Sequence, residues 1–170
     1  GQLTRAEAEE LIDGYLIIEP VLREKFIDFA ADDPEFAIEM IRFGILHDAV
    51  EATPDGHRPV AGNAIPPSFA ELVRTRHAVL ARSHLACARI VAVLACWGER
   101  FSYDEWATYG DWLAIEREPA EIEVLLRYRF LEDTGQGYRF ASHRTRLALQ
   151  QLAEKPLIER ILSREGTLDF

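Results

Sequence analysis

Four side chains that could do chemistry, Ser142, His143, Arg144 and Arg146, stand at the start of one predicted helix. A serine nucleophile and its histidine base must face each other, which adjacent helical residues do not do, so the pattern argues against a hydrolase dyad. The free N–H groups and the dipole of a helix N-terminus do favour anions, and the two arginines would add positive charge. The pattern therefore predicts either an anion or phosphate sensor, or a plain helix cap formed by Ser142.

His84 and Cys87 are three residues apart in a predicted helical stretch and could offer two metal ligands. Metal sites in proteins need at least three protein ligands as a rule, and the sequence shows no third one nearby. His77 lies seven residues before His84, beyond a predicted helix break. We therefore expect these side chains to pack in the core, and the sequence predicts no metal site.

The lysines argue against nucleotide hydrolysis by this chain alone. A phosphate-binding loop needs a glycine-rich turn and a lysine followed by serine or threonine. Here Lys25 precedes Phe26 and Lys155 precedes Pro156. The stretch 27–33 ends in two aspartates and is interpreted as a helix end and cap rather than a magnesium site. We predict no catalytic residue and no cofactor bound by this chain, which is not expected to be an enzyme by itself.

The stretch 125–150 predicts a helix end, a β-hairpin and a new helix, which together would position the residues around Ser142. Asp133–Gly137 supplies the turn, and aromatic residues mark the two expected strands. These aromatic residues are Tyr128, Phe130, Tyr138 and Phe140. A single hairpin between helices, in a chain that is otherwise helical, is typical of a winged-helix domain.

The N-terminal part of the chain predicts three helices. Thr4 and Glu7 form a capping box, Pro20 begins a second helix, and Asp33 with Pro34 begins a third. The expected apolar positions of the second and third helices are Phe26, Ile27, Phe29, Phe36, Ile38, Met40, Ile41, Phe43 and Leu46.

Residues 49–67 form a connector rich in proline and glycine, with short extended pieces expected at 49–52 and 58–60. The helices after it are predicted at 68–80, at 83–97 after a break, after a Ser102–Glu105 capping box, from Pro119, at 143–154 and at 156–164. We predict a mainly α-helical fold with a lid-like helical bundle at 1–65, a winged-helix domain with one β-hairpin at 66–154, and a C-terminal helical tail at 155–170.

The charge of the chain argues against a nucleic acid partner. The formal net charge is −10, and residues 1–60 hold 14 acidic and five basic side chains, although the hairpin region is locally basic. In a DNA-binding winged helix, the helix before the hairpin enters the major groove. Here that neighbourhood contains four carboxylates, which DNA phosphates would repel. They belong to Glu116, Glu118, Glu121 and Glu123.

Cysteine use and hydropathy predict a cytoplasmic protein without a membrane partner. Cys87 and Cys96 are nine residues apart in one predicted helix, on opposite faces, so they cannot form a disulfide with each other. The most apolar segment, 83–97, has 15 residues and contains Arg89. It is shorter than the roughly 20 residues that span a bilayer. The charged N-terminal residues do not resemble a secretory signal.

The order of these segments resembles the C-terminal half of the ATPase module of STAND proteins, the AAA+-related signal-transduction ATPases with numerous domains. The resemblance extends over residues 3–154. It is most specific in Ile65–Arg76, which is similar to the family's pattern of Ile-Pro-Pro followed by a helix ending in arginine. The other similar segments are Leu3–Ile12, Asp33–Arg42, Ala88–Phe101 and Tyr138–Leu149.

In that family, the lid and the winged helix close over ADP or ATP held by a preceding phosphate-loop domain. The resemblance implies that Pro34 lies where the lid proline packs near adenine. It places the phosphate-sensing histidine of the family at Ser142, with His143 beside it. It also implies that the partner is the nucleotide-binding domain of the same parent protein, together with other protein domains of a signalling assembly.

Three hypotheses follow for function. The first is a regulatory lid and winged-helix arm of a STAND-type ATPase, which couples nucleotide state to interdomain packing. The second is a winged-helix DNA-binding regulator that uses Arg129, Arg139 and Arg144. The third is a stand-alone protein-interaction module with a partner surface at Trp106, Tyr109 and Trp112.

Overall fold

The computed structural model describes residues 2–46, 50–60 and 66–166. The chain divides into two compact units, Gly1–Ser68 and Phe69–Phe170. Among the residues that the structure describes, both units consist mainly of helices, and each contains one small antiparallel sheet. The predicted fold class, mainly α-helical with a small β component, is confirmed.

The N-terminal unit begins with three helices, α1 (Arg5–Asp13), α2 (Pro20–Asp32) and α3 (Pro34–Leu46). The predicted capping box of Thr4 and Glu7 is confirmed, and Pro20 is the first residue of α2. The buried core of this unit consists of Ala8, Ile12, Ile18, Phe26, Ile27, Ala30, Phe36, Ala37, Met40 and Ile41.

Three apolar residues of α2 and α3 that were expected to face the core are more exposed than expected. Phe29 is 37% exposed, and Ile38 and Phe43 are only partly buried. The Phe29 ring instead lies against the rings of Phe26 and Phe36, with centroids 6.3 and 5.9 Å away, at the edge of the core. The side chain of Leu46 lies outside the described residues.

The predicted extended pieces of the connector form a hairpin of β1 (Val50–Thr53) and β2 (Gly56–Pro59). Ala49, in the first piece, lies outside the described residues, as do 61–65. Gly56 has a φ of +135°, and a Cβ there would come within 2.9 Å of the Glu19 backbone nitrogen. The turn therefore requires glycine, because the backbone of the segment before α2 passes directly beside it. The expectation of one hairpin in the whole chain is wrong, since this one precedes the hairpin of the winged helix.

The C-terminal unit has six helices and three strands among residues 69–166. They are α4 (Phe69–Ser83), α5 (Leu85–Leu94), β3 (Arg100–Ser102), α6 (Tyr103–Trp112), α7 (Glu121–Arg127), β4 (Leu131–Asp133), β5 (Gly137–Phe140), α8 (His143–Gln150) and α9 (Lys155–Glu165).

The three strands form an antiparallel sheet in the order β3-β5-β4. The sequence of α5, β3, α6, α7, β4 and β5, with the first strand beside the last, is the winged-helix arrangement. The predicted first strand of the hairpin is too early, because Tyr128 is the cap of α7 and the strand begins at Leu131. Strand β3, which the sequence did not predict, pairs Phe101 with Tyr138.

Several predicted helix ends of the C-terminal unit also move. The break expected at 81–83 lies at His84, α5 ends at Leu94 rather than 97, and α8 ends at Gln150 rather than 154. Pro119 precedes α7 by two residues. The capping box of Ser102 and Glu105 is confirmed at α6.

Helix α5 is the centre of the core of this unit, because every residue from Ile90 to Ala95 is buried. Cys87 is buried in its first turn, and Cys96, just past its end, is partly buried; both are free thiols, as predicted. In the part of the chain that the structure describes, no helix combines the length and the apolar character needed to cross a bilayer.

Candidate functional site

The N-terminus of α8 lies directly after β5, where the sequence placed the anion-binding candidates. Ser142 is the cap residue, and its hydroxyl accepts a 3.1 Å hydrogen bond from the backbone N–H of Thr145. The same hydroxyl lies 3.1 Å from the hydroxyl of Thr145. Ser142 is therefore engaged in capping, and His143 is the exposed first residue of the helix.

The two arginines of α8 point to different neighbours. The guanidinium of Arg144 lies 4.0 Å from the ring centroid of Phe69, a cation–π contact that holds it near the start of α8. Arg146 donates a 2.9 Å hydrogen bond to the carbonyl of Ala95, to which Gln150 also donates at 2.8 Å. That carbonyl belongs to the unsatisfied end of α5, so Arg146 caps α5 instead of adding charge to the α8 N-terminus.

Pro34, the remaining residue implied by the resemblance, lies in the N-terminal unit as the first residue of α3. The carboxylate of Asp33 accepts a 3.1 Å hydrogen bond from the N–H of Phe36, so the predicted cap is confirmed. Pro34 is half-buried. Its fixed φ suits the first helical position, where no backbone N–H donor is needed.

A second group, His84, Cys87 and Glu118, is brought together in the C-terminal unit. The possible ligand atoms of the three side chains all lie within 4.8 Å of one another. Nδ1 of His84 is 2.6 Å from Oε2 of Glu118, and the Cys87 sulfur lies within 4.8 Å of the ligand atoms of both. The sequence did not indicate Glu118 as a third member, because it is 34 residues from His84.

Glu118 lies in the loop before α7, and the neighbouring residue Arg117 anchors this loop. The guanidinium of Arg117 binds both carboxylate oxygens of Glu121, at 2.7 and 3.1 Å, and donates to the Ala107 carbonyl at 3.0 Å. Gly110 makes room for it, since a Cβ there would lie 2.5 Å from the guanidinium. The backbone N–H of Glu121 also bonds to the Glu118 carbonyl at 3.1 Å. These contacts fix the loop on both sides of Glu118.

The environment of Cys87 disfavours the thiolate form of its side chain. Burial, followed by the nearby carboxylates of Glu118 and Glu121, raises the pKa of its thiol to about 12. The protonated thiol dominates at neutral pH, and nucleophilic catalysis by cysteine requires the thiolate. In the absence of a metal ion, the raised pKa therefore argues against Cys87 as a catalytic nucleophile, and the hydrogen bond that the structure gives within the described cluster joins His84 and Glu118.

The carboxylates near α7 do not form the uniform repulsive face that the sequence suggested. Glu121 is buried, because it pairs with Arg117 and accepts from the indole of Trp106. Glu123 remains exposed on α7. On the hairpin of β4 and β5, which is the wing of the winged helix, Arg139 forms an ion pair with Glu132 at 2.6 Å. This pairing reduces the positive charge that the wing presents to solvent.

The aromatic residues that the third hypothesis assigns to a partner surface are also less exposed than that hypothesis requires. Trp106 is 1% exposed and packs edge-on against Phe101 and Tyr138, so it belongs to the core. Tyr109 and Trp112 are partly buried.

Comparisons of this chain with protein-family models, with curated proteins and with solved structures found no match.

Proposed function

We propose that this chain is a regulatory arm of a STAND-type signalling ATPase, with a lid-like helical unit and a winged-helix unit, and that it does not catalyse a reaction by itself. In this proposal, ADP or ATP is bound by a nucleotide-binding domain of the same parent protein. The arm closes over the nucleotide in one state and releases it in the other, so nucleotide state changes interdomain packing.

One observation supports this proposal most directly. Helix α8 begins immediately after the last strand of the winged-helix sheet and presents Ser142, His143 and Arg144 at its N-terminus. The resemblance places a phosphate-sensing residue at this point. A helix N-terminus beside an imidazole and a guanidinium is suited to recognise a phosphate group.

The test measures ADP affinity by calorimetry on this chain joined to the residues that its gene encodes ahead of Gly1. We expect His143→Gln and Pro34→Ala each to weaken ADP binding about ten-fold, or about 1.4 kcal/mol. Leu147→Ala, four residues along the same helix, is the control for His143. Pro156→Ala, at the start of α9, is the control for Pro34, and both controls should leave ADP affinity unchanged.

Unchanged affinity in His143→Gln and Pro34→Ala would remove both residues from the nucleotide site. Absence of ADP binding by the joined protein itself would reject the proposed function. The isolated chain is expected to bind neither ADP nor ATP, since the lysines of its sequence do not form a phosphate-binding loop.

A further inference from the structure

We propose that His84, Cys87 and Glu118 bind a divalent transition-metal ion of the zinc class. The inference goes beyond the regulatory role proposed above and does not depend on it. The three side chains provide one imidazole nitrogen, one sulfur and one carboxylate oxygen within 4.8 Å of one another. Sulfur and imidazole ligands favour Zn²⁺ over Mg²⁺ or Ca²⁺, which prefer oxygen ligands alone.

The charge and the access of the cluster suit such an ion. When the ion binds, the Cys87 thiol releases its proton to solvent, and the resulting thiolate and the carboxylate of Glu118 together neutralise a divalent cation. The neutral imidazole of His84 completes the set. The side chains of His84 and Glu118 are 25% and 30% exposed, whereas Cys87 is fully buried beneath them. The ion can therefore enter from solvent, and water can occupy the fourth position of a tetrahedral site.

Side-chain movements of about 1 Å are needed to accept the ion, because ligand atoms up to 4.8 Å apart must approach one another and the closest pair must separate. With ligands about 2.1 Å from zinc, neighbouring ligand atoms in a tetrahedron are about 3.4 Å apart. The distance of 2.6 Å between His84 Nδ1 and Glu118 Oε2 therefore has to increase by less than about 1 Å. His84 is the N-cap residue of α5 and Cys87 lies in the first turn of this helix, so the backbone of α5 holds these two ligands close together.

The third ligand is positioned by a separate set of contacts. Arg117 binds Glu121, Ala107 and Asp111, and these bonds hold the loop that contains Glu118. The ring of Tyr128 lies edge-on to His84, with centroids 6.4 Å apart. A site held from two distant parts of the sequence loses little further freedom when the ion binds.

The test is a Co²⁺ titration of the full chain after treatment with a chelator, because Co²⁺ replaces Zn²⁺ and gives a visible spectrum. We expect a thiolate-to-cobalt charge-transfer band and the strong visible absorption of a tetrahedral site, both removed by addition of Zn²⁺. Cys87→Ser should abolish the charge-transfer band. Glu118→Gln and His84→Gln should weaken Zn²⁺ binding at least about ten-fold, since even the loss of an indirect partner costs that much.

Two matched controls should bind as the wild type does. Cys96→Ser removes the other thiol, and His143→Gln removes an exposed histidine. If circular dichroism shows that Cys87→Ser is unfolded, the Zn²⁺ affinities of Glu118→Gln and His84→Gln test the proposal instead, because both positions are partly exposed. The proposal is overturned by a wild-type chain without the band, by a band that persists in Cys87→Ser, or by equal loss in Cys96→Ser.

Discussion

The indole Nε1 of Trp106 donates a 3.1 Å hydrogen bond to the carboxylate of Glu121, and both side chains are almost completely buried. Arg117 completes the arrangement by binding both oxygens of this carboxylate. Helices α6 and α7 are therefore joined by this buried hydrogen bond and by Arg117, which binds Glu121 of α7 and the Ala107 carbonyl of α6. A buried charge is tolerated only when it is paired, so this contact specifies how the two helices meet.

We expect Glu121→Ala to lower the free energy of unfolding by about 3 kcal/mol, because it leaves Arg117 and the Trp106 N–H without their shared acceptor. Glu121→Gln keeps the acceptor for Trp106 and should lose less. Urea denaturation followed by tryptophan fluorescence measures both. The control is Glu123→Ala, on the exposed face of α7, which should change stability by no more than about 0.5 kcal/mol.

At Gly137, strand β5 passes close to the backbone of β3. A Cβ at this position would lie 1.9 Å from the Phe101 carbonyl oxygen, which is backbone and cannot move aside. We expect Gly137→Ala to separate the two strands and to cost at least about 4 kcal/mol. Gly135→Ala, in the turn, meets no atom within 4 Å and has only its φ of +80° to oppose it, so it should cost about 1 kcal/mol. Equal melting temperatures of the two variants would contradict this explanation.

The sequence was sufficient for most of the helices and for the order of the winged helix, because caps and prolines act locally. The Thr4–Glu7 and Ser102–Glu105 boxes and the Asp33 cap were all found at the expected residues. Strand β3 was missed because its three residues have no pattern of their own and are extended only because they pair with β5. Such pairing is a property of the tertiary fold.

In the candidate sites as well, roles that depend on neighbouring residues could be predicted from the sequence, whereas contacts between distant residues could not. The capping role of Ser142 follows from its position before a helix. The orientation of Arg146 does not, because the carbonyl of Ala95 that attracts it lies 51 residues away. Glu118 joins His84 and Cys87 only through the loop that Arg117 holds.

Alkaline pH should destabilise the C-terminal unit partly through Tyr109. Burial, and then its 3.2 Å hydrogen bond to the carboxylate of Glu165, raises the pKa of this phenol above its ordinary value of 10.0. A raised pKa in the folded state means that the stabilising effect is complete below pH 10. It is lost as pH rises further, because the unfolded chain releases the proton first.

Tyr109→Phe should therefore give a smaller loss of unfolding free energy between pH 9 and pH 11, as measured by urea denaturation at each pH. Trp97→Phe is the matched control, because Trp97 also donates to Glu165, at 2.8 Å, but does not titrate. It should lower stability by about 1 kcal/mol at neutral pH and keep the wild-type pH dependence. An identical alkaline slope in wild type and Tyr109→Phe would refute the assignment.

Binding of this chain to DNA should be undetectable even at low salt. Glu123 is exposed on α7, and the wing residue Arg139 is already paired with Glu132. Fluorescence anisotropy of a labelled random duplex is expected to stay constant as the protein is added. Affinity that falls steeply with salt, and falls again in Arg139→Gln, would instead support the DNA-binding hypothesis.

The different contacts of Arg144 and Arg146 predict that only one of them affects nucleotide binding. Arg146→Ala removes a hydrogen bond to the Ala95 carbonyl and should cost about 1 kcal/mol of stability, as should Gln150→Ala, which removes the other donor. In the joined protein used to test the proposed function, neither variant should alter ADP affinity. Arg144→Ala should weaken it, because Arg144 lies near the start of α8 over Phe69. If Arg146→Ala weakened ADP binding as much as Arg144→Ala, Arg146 would have to contact the nucleotide as well as cap α5.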